Sequence, residues 1–494
     1  MKKIIRFSAA SLVIAMLLSL ALVSCGEGEV TTASGGSTPT TTDARTILET
    51  KTPAGTDFGG AEIKILSRND YDYYDELTID SDEVSNIIDQ SICERQAYVE
   101  EKIGVEIKND KKNMDRNWSL ITDIIRDHFR SNINEYQLAA SGCCNTLDAS
   151  FEGCFWALSD IDSMSLDMPW YAQNFVEQAT LPSGELYFIA GDATISRIRM
   201  IYATFVNHAL FERYVSDDIY KVVDDGKWTI DYQYGIASTV YNDENGNGTS
   251  DEGDLFGFSA HYNVGMDPYW SAFELPILTK VDGKFVEVLD GDRMVDALTK
   301  IIDLFYNHNG VYLYDDKSRD PNLEVMMSEF ASDHYLFMTH YLVCVEYQQL
   351  TEMEHSFGII PIPKLNEDQS DYYSYSQDQM SVLGIPGTVE EEKLEMIGTV
   401  IEELSAYSYN YTREAYYELA LKGRYLRDEQ SRKMLDIIVD NLYVDAGWLY
   451  MKLINNVPMT LRTMVRGKNT GWANYYRSQH KIIANGVDKL NGDK

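Results

Sequence analysis

The residues best spaced for chemistry are Asp243-Glu244-Asn245-Gly246-Asn247-Gly248-Thr249-Ser250-Asp251-Glu252-Gly253-Asp254. Oxygen-bearing side chains fall at loop positions 1, 3, 5, 9 and 12, with glycine at position 6 for the sharp turn, which is the spacing of an EF-hand calcium loop. Asp243, Asn245, Asn247, Asp251 and Asp254 would supply side-chain oxygens, and Thr249 its backbone carbonyl. Position 12 carries Asp254 where a longer Glu usually binds bidentately, so a weaker site is expected. A plain Asn/Gly/Asp turn is the competing reading. The number of matched positions favours a structural Ca2+ that pins a loop and takes no part in catalysis.

Other reactive patterns are missing. The chain has no GxSxG, HExxH, GxxxxGK[ST] or strand-to-helix GxGxxG. Its 8 histidines are scattered, and His334 and His340 are poorly spaced to share a ligand on a helix. With 78 carboxylates, a pair at glycosidase separation is expected somewhere by abundance alone and carries no information. The formal charge of −36 repels phosphate backbones and argues against a nucleic-acid partner. The 34 tyrosines, aromatic with a polar tip, suit surfaces and grooves that meet polar ligands.

The N-terminus is an address. Lys2, Lys3 and Arg6 precede an apolar run from Ala9 to Val23, shorter than the about 20 residues a spanning helix needs but suited to a secretion signal. It ends in Leu22-Val23-Ser24-Cys25-Gly26, which resembles the lipobox of bacterial lipoproteins. That resemblance implies a signal peptide over 1–24, acylation of Cys25 and a mature chain starting there, held at the membrane by its acyl chains. Residues 25–56, rich in Thr, Ser and Gly, read as a flexible linker. If Cys25 is lipidated, Cys93, Cys143, Cys144, Cys154 and Cys344 remain, without a CxxC pair, and small buried hydrophobes are the default reading. A single disulfide involving the 143–154 region is the alternative.

The body should open with a strand over Ala61–Leu66. A helix follows in which Val84, Ile87, Ile88, Ile92, Val99 and Ile103 recur at helical spacing and Gly104 ends the run. Val105–Lys108, a helix over about 118–129 and Tyr136–Ala140 continue the alternation, the signature of a mainly parallel sheet with crossover helices. Glu185–Ala190 and Ile201–Val206 read as further strands. The C-terminal part is mostly helical, with one helix opening after Thr388 and running to about Leu404, and another capped by Asp428.

Three blocks carry a resemblance. They are Phe205-Val206-Asn207-His208 with Gly226-Lys227-Trp228-Thr229 and Phe256-Gly257-Phe258; Phe357-Gly358-Ile359-Ile360-Pro361-Ile362-Pro363-Lys364; and Tyr416-Tyr417-Glu418 through Leu421-Lys422-Gly423-Arg424-Tyr425 to Met434-Leu435-Asp436. Together they resemble the extracellular solute-binding lipoproteins of bacterial ABC importers, family 1 (sugar-binding), related to the maltodextrin-binding protein. The resemblance implies an α/β fold of the periplasmic-binding-protein type II, two lobes joined by crossing strands with solute held between them. Lobe one would comprise 57–204 plus 376–408 and lobe two 205–375 plus 409–494. It also implies a carbohydrate ligand, an ABC-transporter permease as partner, no enzymatic activity and a monomer. A binding protein for a peptide or other non-sugar solute, and a tethered glycan-active hydrolase, are the alternatives.

A sugar cleft needs aromatic platforms with carboxylate and amide partners. Trp170 and Tyr171, Tyr269 and Trp270, and Trp448 are candidate platforms, each expected in a loop, and Tyr341 lies where the resemblance would put a cleft aromatic. For any one of them core packing is as good a reading. Asn69 and Asp70 follow the first strand, where α/β folds place ligand loops. Asp192 follows the Glu185–Ala190 segment and completes the set.

Overall fold

The computed structural model describes residues 46–69, 75–115, 117–289, 291–314, 324–416, 418, 421 and 429–493. Cys25 and Asp70 lie outside these residues, as does the stretch 422–428.

The expected strand–helix alternation is present. Strand β1 (Ala61–Arg68) buries Ile63, Ile65 and Leu66. It pairs in parallel with β2 (Val105–Lys112), Ala61 opposite Val105. The helix Ile87–Ile103 between them is capped by Asn86, whose side chain accepts from Ile88 N and Asp89 N. It ends on Gly104 at φ 65°, where a Cβ would stand 1.9 Å from Asp57 Oδ1, so only glycine fits. A second helix, Leu120–Ser131, leads to β3 (Leu138–Gly142), which joins the other side of β1 in parallel.

The second sheet begins with β4 (Tyr202–Asn207) and β5 (Tyr241–Asn242), then β6 (Leu255–His261). A hairpin, β7 (Leu278–Val281) and β8 (Lys284–Glu287), turns on Asp282-Gly283, both at positive φ as a two-residue turn requires. Then come β9 (Val311–Tyr314), β10 (Tyr335–Tyr341) and β11 (Phe357–Ile360). The chain returns to the first sheet as β12 (Ser381–Gly384).

The two sheets share one plan. The first runs β12-β3-β1-β2, three parallel strands with β12 antiparallel to β3. In the second, β9, β6 and β10 are parallel, and β4 lies antiparallel between β10 and β11. The two-residue β5 also pairs antiparallel with β6, but β4 and β12 are the antiparallel strands that each sheet receives straight after the chain has left the other sheet. The two connecting segments run side by side. Tyr202 N donates to Tyr375 O (3.0 Å), Gln377 N donates to Met200 O (3.0 Å), and Ile201 bridges Ser376 antiparallel.

Three expectations need correction. Glu185–Ala190 is not a strand: Ile189 alone pairs, bridging Leu383. Trp448 and the pair Tyr269–Trp270 stand in short helices, Ala446–Leu449 and Pro268–Ala272, instead of loops. The linker over 25–56 is pinned within its described part. The Asn410 side chain accepts from Leu48 N (3.1 Å) and donates to Leu48 O (2.9 Å), and Thr50 Oγ1 donates to Glu403 Oε1 (2.6 Å). An asparagine amide can satisfy both backbone groups of one residue, which extended chain alone cannot do. All five cysteines in the described residues are free thiols, four of them buried. Among the described residues no helix is long and apolar enough to cross a membrane.

Candidate functional site

A pocket lies where the connecting segments meet the end of β3 and the C-terminal region. Cys143 and Cys144 come from the helical turn that follows β3, and Arg197 from the turn Ser196–Arg199 that precedes β4. The connecting segment contributes Tyr375, Ser376 and Asp378, and the C-terminal region Tyr443, Asp445 and Trp448. The cavity measures about 30 Å³, room for about two water molecules.

Arg68, at the end of β1, fixes the connecting segment. Its Nη1 donates to Gln379 Oε1 (3.2 Å), and its Nη2 donates to the Gln379 carbonyl and to Ser381 Oγ (3.4 Å). Gly142 is needed beside it, because a Cβ there would lie 2.4 Å from Gln379 Oε1. Asp378 then faces the pocket, accepting from Cys144 Sγ (3.1 Å) and from the Gln377 amide.

A row of aromatic rings runs from the second sheet into the pocket. Tyr341 packs edge-on against Tyr202 (4.6 Å), Tyr202 stacks on Tyr375 (6.1 Å), and Tyr375 meets Trp448 (4.7 Å). Tyr202 donates to Val264 O (2.7 Å), with the Tyr341 hydroxyl 3.2 Å away. The Tyr375 hydroxyl and the Trp448 indole N–H are buried with no hydrogen-bond partner among the described residues. Buried polar groups in this state are uncommon in folded proteins.

Charge beneath the row is paired. Asp267 is fully buried, and the Arg462 guanidinium grips it with both arms, Nε to Oδ1 at 2.5 Å and Nη2 to Oδ2. Burial opposes the Arg462 charge, but the Asp267 carboxylate outweighs it, and the guanidinium pKa rises. His340 is held neutral: burial, with His261 nearby, pushes its pKa down to about 3. Burial raises Asp445 to about 6 although Ile277 N, Gly447 N and Leu278 N donate to it.

Of the residues singled out in the sequence, Trp448 lines the pocket and Tyr341 stands at the far end of its aromatic row. Asp192 lies just behind it, 3.9 Å from Arg197. The others are elsewhere. Trp170 and Tyr171 are buried, and their polar atoms both donate to Glu402 Oε2 (3.3 and 2.5 Å), so they pack beneath the helix Leu394–Tyr407. Trp270 is buried with its indole donating to Pro458 O (2.9 Å), and Tyr269 packs between Phe273 and Phe305. Asn69 is exposed, its backbone N–H spent on Lys112 O. Arg197 and Tyr443 were not anticipated. Tyr375, Ser376 and Asp378 lie where the chain was expected to pass from lobe two back to lobe one, around 375–380, the one signal that pointed to them.

The 243–254 loop closes on itself. Asp243 accepts from Gly246 N (2.7 Å) and Gly248 N (2.8 Å), while the Asn245 and Asn247 amides both donate to Asp251 (2.8 Å each). Thr249 Oγ1 also reaches Asp251, at 2.7 Å. Asp254 is buried and accepts from Glu244 N (3.2 Å) and Asp251 N (3.3 Å). These oxygens are of the type a hard cation takes, but in this arrangement they are spent on one another and on the loop backbone. Among the described residues no group of three or more His, Cys, Asp or Glu is placed to hold a metal.

No family model and no curated protein matches the chain. Solved structures do. T. maritima MalE3 bound to maltose superimposes with a TM-score of 0.52 at 14% identity, over 88% of this chain and 100% of that one. A Listeria monocytogenes ABC substrate-binding protein in complex with cycloalternan gives 0.54 at 10%, over 88% and 99%. The galacto-N-biose/lacto-N-biose I-binding protein of the Bifidobacterium longum ABC transporter gives 0.54 at 11%, over 88% and 98%. With the reciprocal exchange of antiparallel strands, this likeness identifies the architecture: the chain has the α/β periplasmic-binding-protein type II fold.

Proposed function

We propose that this protein is the solute-binding component of an ABC importer, delivering a carbohydrate, in particular an oligosaccharide, to a permease. The observation that carries the reading is the aromatic row ending in two buried donors with no acceptor among the described residues. Rings stack on the apolar faces of sugars, and unspent donors await their oxygens. The structural neighbours point the same way, being bound to maltose, cycloalternan and lacto-N-biose. In this reading the lobes are 57–204 plus 376–408 and 205–375 plus 409–494. A cavity of about 30 Å³ is too small for a sugar ring, so ligand enters through hinge opening and is held by closure. The protein binds solute without chemistry, as a monomer outside the cytoplasmic membrane, tethered through a lipidated Cys25. Ca2+ held by Asp243, Asn245, Asn247, the Thr249 carbonyl, Asp251 and Asp254 braces the loop before β6.

Calorimetric titration against a glycan panel tests the reading. Saturable binding with the sugar recovered unchanged is expected; release of a cleaved product would sink it.

A further inference from the structure

The pocket carries a charge that its surroundings leave short of compensation. The Arg197 side chain is 14% exposed, and its Nε is buried without a hydrogen-bond partner among the described residues. Asp192 stands 3.9 Å from its Nη2, too far for a hydrogen bond, and the same carboxylate lies 3.8 Å from Arg413. Two guanidinium groups therefore share this carboxylate, in a chain whose formal charge is −36. Burial lowers the Arg197 pKa and Arg413 adds to the effect, with Asp192 opposing both. The pocket's two wall carboxylates are engaged elsewhere: Asp378 with Cys144 and Gln377, and Asp445 with Ile277 N, Leu278 N and Gly447 N.

Tyr375 and Trp448, 5% and 4% exposed, line the same cavity, each with a donor that has no partner among the described residues. A neutral hydroxyl could accept from these two. It would not compensate a buried cation, whereas a carboxylate accepts hydrogen bonds and supplies the missing charge.

We propose that the solute is an acidic sugar whose uronic-acid carboxylate is bound by Arg197, with Tyr375 and Trp448 donating to its remaining oxygens. This rests on the carbohydrate reading above and narrows its substrate class. Arg197 thereby sets specificity between charged and neutral glycans of the same shape.

The test pairs acidic and neutral probes: digalacturonate against galactobiose, and a glucuronate-substituted xylooligosaccharide against its unsubstituted parent. In calorimetry on the full chain in detergent, at least one acidic member is expected to bind at least tenfold tighter than its neutral partner. That preference should shrink as salt is raised. Arg197→Gln should abolish the preference, weakening the acidic member of each pair by about tenfold more than its neutral partner. Arg197→Lys, which keeps the charge, should retain part of it and guards against a folding defect in the first variant. Neutral probes binding as tightly as acidic ones would overturn this inference and leave the carbohydrate reading standing. Equal weakening of both probe classes by Arg197→Gln would also overturn it, since Arg197 would then be structural. Failure of every probe to bind would remove both readings.

Discussion

Removing the Tyr375 hydroxyl should act in opposite directions on the empty and the filled protein. Its ring is held between Tyr202 (6.1 Å) and Trp448 (4.7 Å), contacts that Tyr375→Phe preserves. Its oxygen is buried with no partner among the described residues, and such a group costs about 1–3 kcal/mol. The Phe variant should therefore hold or gain stability, by about 1 kcal/mol, where deletion of a satisfied tyrosine hydroxyl would lose a similar amount. For a folded unit of about 450 residues, an unfolding entropy near 2.1 cal/mol/K per residue turns 1 kcal/mol into a Tm rise of about 1 °C. With ligand bound the hydroxyl has an acceptor, and losing a bond worth about 0.5–1.5 kcal/mol raises Kd about two- to thirteenfold. Scanning calorimetry and titration on the same preparations read both effects. A clear fall in Tm would mean that the hydroxyl is already satisfied in the empty protein, and an unchanged Kd that solute never reaches it. Either result refutes the reasoning.

Three other perturbations have defined outcomes. Gly358→Ala would place a Cβ 2.2 Å from Tyr220 Oη and 2.7 Å from His208 Nε2, groups bonded to each other at 2.9 Å. A loss of about 1–3 kcal/mol is expected in urea unfolding, and wild-type stability would show that this contact yields freely. His340 has a folded pKa lowered to about 3 against 6.5 unfolded, so the unfolded chain binds the extra proton and stability falls as pH drops below 6.5 toward 3. From pH 7 to pH 5 that amounts to about 2 kcal/mol, and His340→Gln should flatten the profile by that much. Asp243→Ala should abolish the drop in Tm that chelator causes in the wild type; equal chelator sensitivity in the variant would reduce the loop to a turn.

Much of the framework was legible in the residues because it rests on local rules. The helical recurrence from Ile87 to Ile103 and the stop at Gly104 depend on spacing and on one φ value. The first three strands follow from short apolar runs between such helices. The Asn, Gly and Asp of 243–254 likewise marked a turn, and the structure closes it through hydrogen bonds among those side chains and the loop backbone. The helical settings of Trp448 and Trp270 escaped, because each helix is only one turn long and leaves no periodic trace.

The choice among aromatic residues belonged to the tertiary structure. Trp170, Tyr171, Trp270 and Trp448 look alike as sequence: large rings among small and polar neighbours. What separates them is a partner far along the chain. Tyr171 meets Glu402, 231 residues away, and becomes a packing residue, while Trp270 gives its N–H to Pro458, 188 residues away. Trp448 meets Tyr375, whose hydroxyl, like the Trp448 indole, finds no acceptor among the described residues. Local propensity shapes helices, turns and the acidic loop. Whether a buried donor is spent depends on which distant carbonyl or carboxylate the fold brings within about 3 Å, and no spacing within one segment encodes that distance.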